Sequence, residues 1–182
     1  MHEETELLEP DDVLDLPGGE SYELVDGHLV EKNVGARSEE IGGNLLAAIH
    51  HHVRPQRLGH VFGSHTAYRC FPDRPRLMRK PDVSFVARGR FDNDQTPIGD
   101  ILIPPDLVAE VISPNDLFED VETKVQEYLK AGVRLVWVIS PAASIVLIRR
   151  PDKSAASLAI GDALTGEDVL PGFTLPLSEL FA

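Results

Sequence analysis

The sequence predicts an α/β protein with a mixed central β-sheet, α-helices flanking it, and an N-terminal β-hairpin. Three observations carry that reading. The short runs DVSFV at 82–86 and LVAEVI at 107–112 put apolar residues on both faces, as buried strands do. The stretches 38–52 and 118–131 repeat apolar residues at helical spacing. The elements then follow in the order hairpin, helix, strands, helix, strands, which suits a sheet covered by helices.

Taken in order, residues 1–20 read as a frayed acidic lead-in ending at Pro17-Gly18-Gly19, ahead of a single domain over 21–182. YELVDGHLVE at 22–31 sets Asp26-Gly27 between two apolar runs, and Asp-Gly tolerates the positive φ of a tight hairpin turn. Ser38 is an expected N-cap for a helix to about His52, with Ile41, Leu45, Ala48, Ile49 and His52 on one face. Gly42 and Gly43 weaken that helix by about 1 kcal/mol each relative to Ala and leave room for another backbone. A strand fits 60–71, and Pro72 and Pro75 break the loop after it. Residues 88–105 are polar, contain Pro97 and Gly99, and read as a loop. Asn115 and Asp116 are expected caps for the second helix, which stops at Gly132. Strands at 135–139 and 145–149 follow, joined by a turn at 141–143, and Trp137 inside LVWVI belongs to the core.

A chain of 182 residues can bury a sizeable core as one domain. Cys70 is the only cysteine, which excludes an internal disulfide and a zinc site of several thiolates. No apolar run approaches the roughly 18 residues that would suggest a membrane span. The acidic start resembles neither a secretion signal nor a transit peptide, so a cytoplasmic protein is expected. The net charge of −13 argues against a nucleic-acid binder. That total is uneven, however, because residues 1–23 hold nine acids and no base. The window 69–90 is basic, with seven Arg and Lys residues against Asp73 and Asp82, and such a strip could meet a phosphate backbone or be a solvated loop.

Glu110 is the most informative residue. It sits inside LVAEVI, where an ionised carboxylate is costly to desolvate unless paired or bound to a metal. A buried ion pair with an arginine, or a strand-end position exposed to solvent, is the plain structural alternative. Asp82 opens the other buried strand after Pro81, and if the two strands are neighbours both carboxylates converge at one edge of the sheet. Converging carboxylates repel unless a cation or a proton lies between them, and hard oxygen ligands favour Mg²⁺ or Mn²⁺. On the second helix Val121, Val125, Tyr128 and Gly132 define the inward face. Lys124 falls about 60° from its centre and Lys130 about 180° away. A lysine at that rim either snorkels to solvent or supplies an ammonium near the acids. A metal on Asp82 and Glu110 would activate water and polarise a phosphate oxygen, with the ammonium stabilising developing charge. The histidines at 50–52, with His60 and His65, do not make a comparable site, since three consecutive helical histidines point in three directions. No phosphate loop, HExxH or GxSxG motif is present.

The runs KPDV at 80–83, PPDLVAEVISPND at 104–116 and KVQEYLKAGVRLVWVISP at 124–141, with the hairpin YELVDGHLVEKN, resemble the Uma-two family of restriction endonucleases within the PD-(D/E)xK nuclease superfamily. The resemblance implies a restriction-endonuclease-like fold with a four-stranded mixed sheet, and metal-dependent cleavage of DNA. It assigns the metal to Asp82, Glu110 and the backbone carbonyl of Val111. The superfamily's lysine two residues after the second acid is replaced here by Ile112. The family pattern moves that lysine to the following helix, at Lys124. Glu40 is an expected accessory acid, and Ser38 stands where many members carry histidine.

The leading expectation is a Mg²⁺- or Mn²⁺-dependent endodeoxyribonuclease, with Arg79, Lys80 and Arg88 contacting the DNA backbone and a homodimer serving both strands. The alternatives are a catalytically inactive nuclease-fold module that binds DNA or a protein partner, and a hydrolase acting on a small phosphate ester.

Overall fold

The computed structural model describes residues 7–182. Helix α1 (Pro10–Asp15) leads into a hairpin of β1 (Tyr22–Val25) and β2 (His28–Glu31). Asp26 and Gly27 both take positive φ, 51° and 85°, as the two-residue turn requires. Helix α2 (Ala36–Gln56) follows, then β3 (Gly59–Gly63), β4 (Val83–Ala87) and β5 (Leu107–Val111). Helix α3 (Phe118–Ala131) leads to β6 (Leu135–Ser140), β7 (Ile145–Arg149) and β8 (Ala155–Leu158). A small ladder of β9 (Ala163–Thr165) with β10 (Thr174–Pro176), and the short α4 (Leu177–Leu180), finish the chain.

Strands β3 to β8 form one six-stranded sheet in chain order. Only β5 and β6 run parallel, and α3 is the crossover that a parallel pair needs. Hairpin-joined β7 and β8 account for two strands beyond the four that the family resemblance implies.

The period-2 alternation of the strands sorts the core. Val83 and Phe85 of β4, Leu107, Ala109 and Val111 of β5, and Leu135, Trp137 and Ile139 of β6 pack with Ile41, Leu45, Ile49 and Val53 of α2. The alternate residues Val86, Val108, Val136 and Val138 pack with Val125 and Tyr128 of α3. Glu110 shares the second parity and therefore points to the α3 side. Gly132, at φ 105°, ends α3 in the left-handed conformation that glycine favours.

Several local expectations change. The part of the acidic lead-in that is described is folded rather than frayed, while residues 1–6 lie outside the described residues. Pro10 opens α1, and Val13 is buried with Leu24, Ala67 and Met78. Glu9 and Asp11 pair with Arg76 and Arg69, each at 2.5 Å. The strand expected at 60–71 ends at Gly63, where the chain turns. Beyond it Tyr68 makes only isolated bridges, to Arg79 and Ile101. Helix α2 begins two residues before Ser38, whose hydroxyl accepts the Gly35 N–H at 3.1 Å from inside the first turn. Neither Asn115 nor Asp116 caps α3: its N-cap is Leu117, and Asp116 accepts the Ser113 N–H at 2.7 Å instead.

Gly43 sits in the middle of α2, and a Cβ built there meets no heavy atom within 4 Å. Gly43→Ala is therefore expected to stabilise the protein by about 0.5–1 kcal/mol through the entropy of the unfolded chain and helix propensity. Urea unfolding of the two proteins checks this, and a lower midpoint for the variant would contradict it.

Candidate active site

The site lies where β4 begins and β5 ends. The β4–β5 ladder pairs Val83 with Ala109, so one further step sets Asp82 opposite Glu110. The paired residues end at Val83, and beyond it the side chain of Asp82, rather than a backbone carbonyl, supplies the next acceptor. Its Oδ2 accepts the Val111 backbone N–H at 2.8 Å. The two acids thus enter one cleft of about 230 Å³, whose walls include Glu23, Lys32, Asp116, Thr123 and Lys124.

Glu110 is 7% exposed. Its Oε1 accepts the Tyr128 hydroxyl at 2.7 Å, and its Oε2 lies 3.7 Å from Lys124 Nζ. The same ammonium lies closer to Glu23, at 3.1 Å. Glu23 is 1% exposed and also accepts Arg79 Nη1–H and the Lys80 backbone N–H, both at 2.8 Å. The two carboxylates therefore titrate in opposite directions. Burial pushes Glu110 up to about 7, because the attraction of Lys124 does not offset desolvation and the repulsion of Asp82 and Glu23. Burial also acts on Glu23, but Lys124, Arg79 and the Lys80 N–H overcome it and hold its carboxyl below the usual range. Burial by itself would lower Lys124, and Glu110 and Glu23 instead hold its ammonium above the ordinary lysine range. Lys130, six residues on, is 73% exposed and pairs with Asp73.

Asp82 carries its own cation. Lys32, just past β2, places its ammonium 3.0 Å from Asp82 Oδ1 and donates to the backbone carbonyls of Lys80 at 2.6 Å and Ser64 at 3.3 Å. Neither Lys32 nor Glu23 stands out in the sequence. Glu23 counts there as the last of nine acids over residues 1–23, and Lys32 lies fifty residues from its partner. Tyr128 does carry a signal, since a tyrosine on an inward helix face needs a partner for its hydroxyl.

The remaining expected residues lie elsewhere. Arg79 and Lys80 are not available to a DNA backbone: each is 4% exposed. Arg79 is consumed by Glu23 at 2.8 Å and Glu127 at 2.7 Å, and Lys80 Nζ donates to the Gly19 carbonyl at 2.7 Å. Arg88 is exposed but follows the far end of β4, about 20 Å along the strand from Asp82, and its Nε lies 3.3 Å from Asp94. Arg69, Arg74, Arg76 and Arg90 of the basic window are likewise held by acids, while Lys80 is satisfied by the Gly19 carbonyl. Glu40 is exposed and paired with Arg37 at 2.6 Å. Its neighbour Glu39 is the α2 acid that faces the site, in a second cleft of about 440 Å³ that meets the first at Asn33, Asp82 and Val111.

The donor set can be tested against a divalent metal. Among the described residues no group of three or more His, Cys, Asp or Glu side chains forms a metal cage. Mg²⁺, however, is usually held by one or two carboxylates with waters and substrate oxygens completing the shell. Asp82 and Glu110 supply that number. The charge balance also fits, since a carboxylate raised to about 7 by burial and like charges sits where positive charge is short.

A model of the Uma2 family, described as "Putative restriction endonuclease", matches residues 10–178. The chain belongs to this family. A crystal structure described as a putative nuclease belonging to DUF820, from Anabaena variabilis, superposes with a TM-score of 0.79 at 22% identity, covering 96% of this chain and 97% of that one. It shares the fold. No curated protein matches the sequence. No helix among the described residues is long and apolar enough to cross a membrane.

The raised Glu110 has a consequence for stability. Below about pH 4.5 the carboxyl is protonated in both folded and unfolded chains. Between there and about 7 the unfolded chain ionises while the folded protein holds its proton. The folded state binds more protons in that window, so stability falls as pH rises through it, by up to about 3 kcal/mol. Urea unfolding in a metal chelator from pH 5 to 8 is expected to show this loss in the parent and not in Glu110→Gln. Parallel profiles would contradict it.

Proposed function

We propose that the protein is a metal-dependent nuclease that hydrolyses phosphodiester bonds in DNA. The observation that carries this reading is the convergence of Asp82, Glu110 and Lys124 in one cleft, in a chain of the Uma-two family. Asp82 and Glu110, with the backbone carbonyl of Val111, would hold Mg²⁺ or Mn²⁺. When bound, such an ion lowers the pKa of a water and polarises a phosphate oxygen.

The chain's own groups have distinct parts. The Val111 N–H orients the Asp82 carboxylate from behind. Tyr128 donates to Glu110 and fixes the direction of its other oxygen. Glu23 holds Lys124 at the wall of the cleft. There its charged ammonium can orient the attacking water and stabilise negative charge on the phosphate in the transition state. The coupled acid–ammonium arrangement suits phosphoryl chemistry better than acyl transfer, since the cleft presents no paired nucleophile and histidine. A homodimer would bring two such sites to a duplex.

Two observations favour the second reading, a nuclease-fold module that binds DNA or a protein without cutting. Asp82 already has a counter-ion in Lys32, and the arginines of the basic window are spent on internal ion pairs.

Plasmid nicking with Mg²⁺ or Mn²⁺ separates the two. Asp82→Asn and Lys124→Met are each expected to lower cleavage by about 10²-fold or more while far-ultraviolet circular dichroism stays that of the parent. A parent that binds DNA but never nicks it would favour the binding module. Unaltered cleavage in Lys124→Met would remove that lysine from the reaction.

A further inference from the structure

Lys32 lines the cleft beside Asp82, and the nuclease reading gives it no part. Its side chain is 9% exposed, and its three ammonium hydrogens meet three oxygens. Two are backbone carbonyls, from Ser64 in the turn after β3 and Lys80 two residues before Asp82. The third is Asp82 Oδ1, the carboxylate oxygen that the Val111 N–H leaves free. A compact, all-oxygen shell that includes a carboxylate is the environment a hard cation prefers. An ammonium there is a cation already in residence.

We propose that Lys32 is the resident counter-ion of Asp82, competing with a divalent metal for Oδ1 and so setting how tightly the cleft binds metal. The inference rests on the metal-dependent reading of the same site. Its physical basis is charge. Without Lys32, Asp82 would face Glu110 and Glu23 across a buried cleft with only Lys124 and Arg79 nearby, both engaged with Glu23. Such a cluster of acids is unstable until a cation arrives. With Lys32 present the charge of Asp82 is balanced in the empty cleft, and a metal has to displace the ammonium or bind against its repulsion. Lys32 is therefore a positioning residue that stabilises the metal-free protein at the expense of affinity.

Titration calorimetry with Mn²⁺, in the absence of DNA, tests this. Lys32→Gln removes the charge and keeps an amide donor for the Lys80 carbonyl. Lys32→Met removes both, and Lys32→Arg keeps the charge. The Gln and Met variants are expected to bind Mn²⁺ at least about tenfold more tightly than the parent, with the Arg variant close to it. Thermal melts give a second readout that survives a poorly folding variant. In chelator the Gln and Met proteins should melt below the parent, and added Mn²⁺ should raise their melting temperatures more than the parent's. If Mn²⁺ binds the parent and is lost in Asp82→Asn, but binds Lys32→Gln no more tightly, the counter-ion proposal fails while the metal site stands. If Mn²⁺ binds neither the parent nor any Lys32 variant, both readings fall together.

Discussion

The Lys124 ammonium lies 3.1 Å from Glu23 and 3.7 Å from Glu110, and much of the site follows from that sharing. Two carboxylates buried on one side of a sheet cannot both remain ionised without compensation. One lysine on α3 serves both, at unequal distances. Glu23 takes the larger share, together with Arg79 and the Lys80 N–H, and keeps its charge easily. Glu110 is left short. The shortage makes it costly to the folded protein, and it also makes the position receptive to a cation. The same contact ties three elements together, because Glu23 belongs to the hairpin, Glu110 to β5 and Lys124 to α3.

A second layer of charge supports the first. Glu127, one turn from Lys124 on α3, binds Arg79 and Arg74, and Arg74 reaches on to Asp26 at the hairpin turn. The hairpin is thus held to α3 at both ends by ion pairs, one of them almost fully buried. Breaking one partner of such a buried set leaves its mate uncompensated, which costs far more than a surface pair contributes. This explains why a chain of net charge −13 has so little free basic surface near its site. Its arginines at 69–90 pair with acids of several segments: Glu9 and Asp11 before the hairpin, Glu23 and Asp26 within it, Glu127 on α3, and Asp94 and Asp106 between β4 and β5.

The fold was largely legible in the sequence, and the central triad partly so. Burial on both faces marks β4 and β5, and Glu110 within LVAEVI declares itself because no apolar strand carries an acid without a cost. The helical angle of Lys124 follows from Val121, Val125 and Tyr128. What was not legible depends on pairing across long separations. Lys32 meets Asp82 fifty residues away through a hairpin whose docking no local pattern encodes. Arg79 and Lys80 read as exposed because they sit among prolines and other bases, yet the chain there runs beneath the hairpin, where Leu24 and Met78 exchange backbone hydrogen bonds. Glu39 rather than Glu40 lines the second cleft, because the docking of α2 on the sheet, which a family pattern does not specify, decides which of two adjacent acids faces it.

The placement of the site has a topological reason. Ligands of open α/β sheets gather outside the carboxyl ends of parallel strands, where connecting loops separate. Among the described residues the only parallel pair of strands is β5 and β6, and the chain leaves the carboxyl end of β5 through Ser113 to Leu117 before entering α3. Antiparallel β4 enters the sheet beside that end, so its first residues lie against the last residues of β5. The paired residues of β4 and β5 end at this point, and the Val111 N–H, which would otherwise need a backbone partner, is satisfied by the Asp82 side chain. One acid is therefore fixed by completing the sheet's own hydrogen bonding. The other is fixed by strand parity, which turns Glu110 toward α3. An arrangement built this way needs no flexible loop to assemble it, because the register that holds the sheet together also holds the carboxylates side by side.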